Sequence, residues 1–262
     1  MKVIGRLMAR GNGSGLKKKN AYPLLGRPLL WWFLTEVKKA DFIDDIFVWT
    51  EDEELAQITL DCGCHVIPRT REQVFYHSGF SDPNEWGAYL DDYIVSKCGT
   101  PGDIRVALNC NYCLITADIL GKMYLKLMED RTADTIIPVT RVEPHIYTVN
   151  PKTGCLFPIW EHRGLDRQEY PDLYRAGGIS ISHSKRGIHN FGLRTLYLEV
   201  APEYLVDVHD EDDVSLAEYY LIRRLGGRVV LPGSAEQPQE APDSEERFWG
   251  RGTERLWKSM GQ

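Results

Sequence analysis

An alternation of strands and helices through the first half of the chain is the strongest constraint on its fold. Short apolar runs bounded by turn residues predict strands at 2–8, 44–50, 65–68, 104–110 and 135–140. Apolar residues recur at helical spacing between these runs, at 28–40, 51–63, 86–98 and 116–130. Strands and helices of these lengths predict an α/β domain, with a parallel sheet covered by helices on both faces. In such sheets ligands bind at the carboxyl ends of the strands.

The pattern changes after residue 141. Residues 141–160 predict two antiparallel strands around a turn at 150–154, and the sequence then predicts strands at 177–185, 196–202 and 228–232 and a helix at 214–227. We therefore expect one domain over 1–233. The segment 234–262 is rich in Pro, Glu and Ser, and we expect a flexible tail with a short helix that docks through Trp249 and Trp257.

Composition excludes several classes of protein. With 31 basic and 38 acidic side chains the net charge is −7, which gives no electrostatic reason to expect nucleic-acid binding. No apolar stretch approaches the ~18–20 residues that a membrane span requires, and MKVIGRLMAR lacks the apolar region of a signal peptide. These features predict a cytoplasmic protein that does not bind membranes.

The six cysteines leave two interpretations open. Cys110 and Cys113 form a C-x-x-C pair, and Cys62 and Cys64 form a C-x-C pair, so a structural zinc site is one alternative. Structural zinc usually requires two such pairs in loops, whereas these pairs lie in or beside apolar strand-like runs. We therefore expect buried free thiols.

The loop that follows the first predicted strand is rich in glycine and lysine. Three glycines within five residues allow backbone N–H groups to approach an anion closely, and Arg10 and Lys19 can neutralise phosphate charge. The loop matches neither the Walker A pattern nor the G-x-G-x-x-G dinucleotide pattern. A solvated flexible loop is the alternative, but the position directly after the first strand favours anion binding.

Three segments occur in order along the chain: ARGNGSGLKKKN (9–20), RQEYPDLYRAGGISI (167–181) and VDVHDEDDVSLAE (206–218). They resemble the A-R-x-x-S-K-x-x-x-K-N, R-Q-x-x-P-x-x-x-R-x-N-G-x-I-Y-I and I-D-I-D-T-x-x-D-L-x-x-A-E segments of the CMP-sialic acid synthetases, the acylneuraminate and nonulosonate cytidylyltransferases. The resemblance implies a Rossmann-like nucleotidyltransferase fold with a mainly parallel central sheet, helices on both faces and a small antiparallel dimerisation arm at about 141–205.

The resemblance also implies roles for residues on the nucleotide side. Arg10 and Lys19 would hold the triphosphate as catalytic residues, the amides of 11–15 would cradle it, and Arg69 would read the cytosine edge. A surface arginine is the alternative for Arg69. The implied nucleotide-binding set is Ala9, Arg10, Gly11, Asn12, Gly13, Ser14, Lys19, Asn20 and Arg69.

Acceptor and metal residues follow from the same resemblance. Asn109, Arg167 and Arg175 would face the acceptor, where arginines can pair with a carboxylate. Asp207 would bind Mg²⁺ together with phosphate oxygens, with Asp210 as a neighbouring ligand. Solvated surface arginines and a solvated acidic helix start are the alternatives.

The chain departs from the family pattern mainly on the acceptor side. The loop lysine of the family falls on Ser14, with Lys17 and Lys18 as possible substitutes, and the second metal aspartate falls on His209, which would suit Mn²⁺ better. The family's L-Q-P-T-S-P turn is LNCNYC here. An acceptor lysine falls on Ile146, and the asparagine of R-x-N-G falls on Gly177.

We therefore expect an enzyme that transfers CMP from CTP to a small acidic acceptor, such as a nonulosonic acid, and releases pyrophosphate. A phosphonate acceptor and a non-catalytic nucleotide- or sugar-binding homologue are the alternatives. A GT-A-like transferase is disfavoured because LNCNYC contains no D-x-D carboxylates. The antiparallel segment, with Phe191 and Tyr197 among its apolar residues, predicts a homodimer.

Overall fold

The computed structural model describes residues 1–11, 15–70, 83–143, 145–159, 165–184 and 194–226. The strands are β1 (Val3–Met8), β2 (Pro23–Leu24), β3 (Arg27–Pro28), β4 (Asp45–Thr50), β5 (His65–Pro68), β6 (Ile104–Leu108), β7 (Thr135–Val142), β8 (Tyr147–Val149), β9 (Leu156–Pro158), β10 (Leu173–Ala176), β11 (Ser180–His183) and β12 (Thr195–Glu199). The α-helices are α1 (Leu29–Val37), α2 (Glu53–Asp61), α3 (Pro83–Cys98), α4 (Ala117–Glu129) and α5 (Glu211–Arg224). Short 3-10 helices span Lys19–Ala21, Arg167–Glu169 and Pro202–Leu205.

The central sheet is mainly parallel, as the sequence predicts. Its order is β10-β7-β11-β6-β1-β4-β5, with β12 paired to β7. The pairs β1–β4, β1–β6, β4–β5 and β7–β12 are parallel, whereas β11 is antiparallel to β6 and β7, and β10 is antiparallel to β7. The Rossmann-like α/β prediction is confirmed.

A crevice for a ligand is set by the position of β1 in this order. The chain proceeds from β1 to β4 and β5 on one side, and later to β6 on the other side. The loops that follow β1 and β6 therefore diverge at the carboxyl edge of the sheet. Ligands of open α/β sheets bind at this kind of switch point.

Helices cover both faces of the sheet. Side chains of α1, α2, α4 and α5 pack with one face in the larger apolar cluster, which includes Phe33, Leu55, Leu120 and Leu221. On the other face, Ile94 of α3 belongs to a smaller cluster with Phe47 and Trp49. The two clusters fix the sheet between layers, so the loops at its edge are held by a rigid scaffold.

The separate antiparallel part is smaller than the expected arm at 141–205. Among the described residues of 141–205, only the β8–β9 hairpin forms a sheet of its own, and its turn is closed by hydrogen bonds from the Asn150 amide to the Cys155 carbonyl and from the Gly154 amide to the Asn150 carbonyl. β10, β11 and β12 join the central sheet instead, and Ile181 of β11 is fully buried between β6 and β7.

The start of α5 and the strand β10 also differ from the prediction. α5 begins at Glu211, three residues before the predicted start, because the Asp210 side chain caps it. β10 has no strand signal in the sequence because its residues are half-buried or exposed. The predicted strand at 228–232, the tail at 234–262 with Trp249 and Trp257, and Phe191 lie outside the described residues.

All six cysteines are free thiols, as expected, but only Cys64, Cys110 and Cys113 are buried, whereas Cys62 and Cys98 are half-buried and Cys155 is exposed. Burial raises the pKa of Cys110 and Cys113 to about 12, so both stay protonated at neutral pH. No helix in the described part of the chain is long and apolar enough to span a membrane.

Candidate active site

The loop after β1 is anchored to the neighbouring strand and to its own C-terminal end. The Ala9 amide donates a hydrogen bond to the Trp49 carbonyl at 3.1 Å. The Asn20 Nδ2 atom donates to the Arg10 carbonyl at 2.8 Å, and the Cys110 thiol donates to Asn20 Oδ1 at 3.1 Å. Both ends of the buried Asn20 amide are thus engaged. Asn20 therefore holds the loop closed, which the sequence did not predict.

Two glycines of the loop lie against acidic segments. The Gly11 amide donates to Glu51 Oε1 at 2.9 Å, and a Cβ at this position would overlap Asp52. The expected amide cradle therefore does not include Gly11, because a carboxylate already accepts from its N–H. A Cβ at Gly15 would lie 2.7 Å from the His209 carbonyl oxygen. The predicted residues Asn12, Gly13 and Ser14 lie outside the described residues.

The three loop lysines have different surroundings. Lys18 adopts a left-handed backbone conformation, with φ at 50°, and its ammonium pairs with Glu54 at 2.9 Å. Lys17 is exposed and forms no ion pair with any residue that the structure describes. Of the two expected substitutes for the family's loop lysine, Lys17 has the free charge and Lys18 does not.

Lys19 is half-buried at the centre of the site. Burial lowers the pKa of Lys19, and the nearby Arg10 charge acts in the same direction, while the Asp207 carboxylate opposes both. Neither Lys19 nor Arg10 has an ion-pair partner within the described ranges. Two cations are therefore close together, with the Asp207 and Asp213 carboxylates nearby, and the unpaired cations can attract an anion.

Arg69 directly follows β5, and its amide donates to the Thr50 carbonyl at the end of β4. Its side chain is fully covered, and its guanidinium carbon lies 4.6 Å from the centroid of the Trp49 ring. The Arg69 Nη1 atom is 3.9 Å from Glu51 Oε2, the other oxygen of the carboxylate that accepts from Gly11. Burial is the main cause that lowers the pKa of Arg69. The alternative of a solvated surface arginine is therefore wrong.

The turn after β6 connects the loop to the acidic segment. The Asn111 amide donates to Asn109 Oδ1 at 3.1 Å, which closes the turn, so Asn109 uses its side-chain oxygen locally. The Val208 amide donates to the Asn111 carbonyl at 3.1 Å. Since Cys110 also bonds Asn20, the rewritten LNCNYC turn contacts both halves of the site.

Asp207 lies opposite the loop with its two oxygens in different environments. The Tyr112 hydroxyl donates to Asp207 Oδ2 at 2.9 Å. Oδ1 is buried and accepts no hydrogen bond from the described residues, although His209 Nδ1 lies 3.5 Å away. Burial, with help from the Asp207 hydrogen bond, raises the pKa of Tyr112 to about 12, so its hydroxyl remains a donor at neutral pH.

Asp210 caps the N-terminus of α5. Its Oδ1 accepts from the Asp213 amide at 3.0 Å, and the Asp213 side chain returns to the Asp210 amide in a capping box at the start of α5. The Asp213 carboxylate also accepts from the His209 amide at 2.8 Å. One oxygen of the predicted metal ligand Asp210 is thus committed to helix capping.

The acceptor residues are only partly brought together. Arg175 is exposed on β10, its Nη2 donates to the Leu205 carbonyl at 2.9 Å, and its charge opposes the raised pKa of Tyr112, so the two side chains share one side of the site. The side chain of Arg167 lies outside the described part of the chain. Ile146 is exposed at the base of the hairpin.

The sequence reasoning missed two residues that organise this site. Glu51 binds the Gly11 amide and faces Arg69, and Tyr112 binds Asp207. The only indication of Glu51 in the sequence is its position, since it is the first residue after β4 at the carboxyl edge of the sheet. Tyr112 had no such signal, since its partner lies 95 residues away.

Comparison with known proteins agrees with this geometry. Residues 6–74 match the family model described as Cytidylyltransferase. An N-acylneuraminate cytidylyltransferase of Streptococcus agalactiae is 25% identical over 226 residues, which cover 81% of this chain and 52% of the relative. The chain is thus similar to N-acylneuraminate cytidylyltransferases, and it spans about half the length of the curated relatives it matches.

Two solved structures share the fold of this chain. A CMP:2-keto-3-deoxy-manno-octonic acid synthetase in complex with CTP superposes with a TM-score of 0.60 at 14% identity, over 86% of this chain and all of the other. A 4-diphosphocytidyl-2C-methyl-D-erythritol synthase from Anaerococcus prevotii superposes with a TM-score of 0.54 at 12% identity, over 84% of this chain and 98% of the other. These likenesses support the nucleotidyltransferase fold.

Proposed function

We propose that this chain transfers CMP from CTP to a small acidic acceptor and releases pyrophosphate. One observation carries the proposal: the loop after β1 and the segment with Asp207 meet, because the Leu16 amide donates to the His209 carbonyl at 3.0 Å. This contact supports the proposal because it joins the loop that carries Arg10 and Lys19 to the segment that carries Asp207. The CTP named for the structural relative supports the same nucleotide here.

The chemistry requires little of the protein beyond positioning and charge neutralisation. An oxygen of the acceptor attacks the α-phosphorus of CTP and loses its proton, and the bond from the α-phosphorus to the bridging oxygen breaks. Pyrophosphate leaves with that electron pair. Arg10 and Lys19 would hold the triphosphate and neutralise the departing charge, since neither has an ion-pair partner among the described residues. Arg69, fixed on Trp49, would select the base.

The residues present fit a divalent cation with oxygen ligands. Asp207 Oδ1 is buried without a hydrogen bond from the described residues, and a cation would satisfy it. No group of three metal-ligating side chains forms among the described residues, so most ligands would have to be phosphate oxygens and water, as Mg²⁺ prefers. Mg²⁺ when bound would neutralise triphosphate charge. Asp207 would be the main protein ligand, with the second oxygen of Asp210 nearby.

An acidic acceptor is supported by the charge around Tyr112. Arg175 is exposed next to this side chain and can pair with a carboxylate. The curated relatives are named for N-acylneuraminate, a sugar acid, which supports a nonulosonic acid or a related acid as the acceptor class. A phosphonate acceptor would use the same positive charge.

A pyrophosphate-release assay tests the proposed reaction. The protein is incubated with Mg²⁺ and CTP, either alone or with a panel of nonulosonic acids, 3-deoxy-sugar acids and phosphonates. We expect release that requires both CTP and one of the acids, and the productive acid separates the sugar-acid from the phosphonate alternative. CTP that binds without release in any arm would favour a non-catalytic homologue and contradict the proposal.

We further propose that the protein is a homodimer that pairs through the β8–β9 hairpin. The hairpin exposes a run of large apolar side chains, and a contiguous exposed apolar patch marks an interaction surface. The exposed side chains are Ile146, Tyr147, Val149, Leu156, Phe157 and Ile159. Tyr197, by contrast, lies on β12 of the central sheet and packs on Tyr174 at a centroid distance of 5.3 Å.

Light scattering at micromolar concentration tests this partner. We expect a dimer for the wild type and a monomer for the Leu156→Glu, Phe157→Glu double variant. Leu125→Glu is the matched control, because Leu125 is a similarly exposed leucine on α4 away from the hairpin. A monomeric wild type would contradict the dimer proposal.

A further inference from the structure

The turn 109–112 reaches the acidic segment by two hydrogen bonds rather than one. Besides the bond from the Tyr112 hydroxyl to Asp207 Oδ2 at 2.9 Å, the Val208 amide donates to the Asn111 carbonyl at 3.1 Å. The Tyr112 amide in turn donates to the Asn109 carbonyl at 3.2 Å. Tyr112 is therefore fixed at both its backbone and its hydroxyl, and Asp207 is held by a rigid partner.

The ring of Tyr112 reaches Asp207 because a glycine makes room for it. A Cβ at Gly178 would lie 2.7 Å from Tyr112 Cε2 and 2.8 Å from Asn109 Nδ2. Tyr112 itself is only 8% exposed, so its ring has little freedom to rotate. The packing thus selects one orientation of the phenol, with the hydroxyl directed at Asp207.

The hydrogen bond from the Tyr112 hydroxyl gives the two oxygens of Asp207 different environments. Oδ2 accepts from Tyr112, while Oδ1 is buried and accepts nothing from the described residues. A carboxylate held at one oxygen presents the other in a fixed direction. Such outer partners orient the ligands of a metal and are worth roughly 10- to 100-fold in metal affinity.

We propose that Tyr112 is the positioning residue for Asp207: its hydroxyl fixes Oδ2 so that Oδ1 faces the divalent cation that accompanies the nucleotide. The inference rests on the proposed function, because it assumes that Asp207 meets a metal–CTP complex. It assigns a purpose to the rewritten LNCNYC turn, which carries a tyrosine at the place of the family's serine. By fixing Asp207, Tyr112 compensates for the family's second metal aspartate, whose position His209 takes in this chain.

The test compares Tyr112→Phe with Tyr93→Phe. Tyr112→Phe retains the ring against Gly178 and removes only the hydroxyl, while Tyr93→Phe removes a hydroxyl that donates to the Val66 carbonyl at 3.2 Å, away from the site. The free Mn²⁺ signal in electron paramagnetic resonance measures metal binding to the protein with CTP. Calorimetry measures CTP binding without metal, and thermal unfolding measures stability.

We expect Tyr112→Phe to weaken Mn²⁺ binding roughly 10- to 100-fold while metal-free CTP binding stays within about twofold, and Tyr93→Phe to change neither. In the Asp207→Asn background, Tyr112→Phe should weaken Mn²⁺ binding no further, because the hydroxyl acts through that carboxylate. Unchanged Mn²⁺ binding in Tyr112→Phe, or equal loss in both phenylalanine variants, would overturn the inference and leave the proposed function standing. A wild type that binds no CTP would overturn the proposed function, and the inference with it.

Discussion

The amide of Leu16 donates a hydrogen bond to the carbonyl oxygen of His209 at 3.0 Å, and this contact joins the glycine-rich loop to the acidic segment at the start of α5. The two segments are almost two hundred residues apart in sequence, yet they are in direct contact in the fold. Gly15 allows the approach, since a Cβ there would lie 2.7 Å from the same oxygen.

Gly15→Ala should therefore lower both stability and activity. The added methyl group must push the loop away from His209, at a cost of about 1–3 kcal/mol in the free energy of unfolding. Gly121→Ala is the matched control, because Gly121 lies within α4 with open space around its Cβ position, and alanine there should stabilise the helix by ~0.5–1 kcal/mol. Thermal and urea unfolding measure both changes. Equal stability of the Gly15→Ala variant and the wild type would contradict the contact.

Lys17 and Lys18 should contribute unequally to CTP binding. Lys18 is occupied by Glu54, whereas Lys17 has no ion-pair partner among the described residues. We expect Lys17→Ala to weaken CTP binding about three- to fivefold, as for an exposed charge pair, and Lys18→Ala to leave it within twofold. Calorimetric titration at low and high salt gives both values. A larger loss in Lys18→Ala than in Lys17→Ala would show that Lys18 exchanges partners on binding.

The acidic segment should separate into a metal ligand and a helix cap. Asp207→Asn should abolish turnover while CTP binding without metal survives. Asp210→Asn retains the cap of α5 and should keep stability, whereas Asp210→Ala should lose about 1 kcal/mol of unfolding free energy. His209→Asp supplies the second carboxylate and should lower the Mg²⁺ concentration needed for half-maximal rate. Turnover measured against Mg²⁺ concentration tests the Asp207→Asn and His209→Asp variants. Near-normal metal-dependent turnover in Asp207→Asn would contradict the role of Asp207 as a metal ligand.

Base selection should depend on Arg69. The guanidinium is held 4.6 Å from the Trp49 ring centroid, so it is fixed before the nucleotide arrives. We expect CTP to raise the melting temperature more than UTP does, and Arg69→Ala to remove most of this difference, since a bidentate arginine–base contact is worth about 1–3 kcal/mol. Arg69→Ala should also lower the melting temperature without ligand, because it empties a buried site. An equal rise in the melting temperature of the wild type with every nucleoside triphosphate would contradict base selection by Arg69.

The sequence predicts β1, β4, β5, β6 and β7 because each of these strands is a short, largely apolar run. The four residues of β10 give no such signal, since they are half-buried or exposed and gain their strand conformation from pairing with β7. Helix capping by Asp210 is likewise invisible until the helix start is known.

The candidate site could be located from the sequence but not assembled from it. The glycine-rich loop and its cations stand out locally. Their partners do not: Glu51 is 40 residues from Gly11, and Tyr112 is 95 residues from Asp207. Such contacts depend on the strand order at the edge of the sheet, which brings the loops together only after folding.

Label transfer from CTP tests the central claim most directly. The protein is incubated with Mg²⁺ and an acidic acceptor, with CTP labelled either at the α- or at the γ-phosphorus. The account predicts that the α-label appears in a conjugate of CMP with the acid and that the γ-label appears in pyrophosphate, in equal amounts. A γ-label that appears on the acid or as inorganic phosphate with CDP would contradict cytidylyl transfer, because the bond broken would then lie between the β- and γ-phosphates.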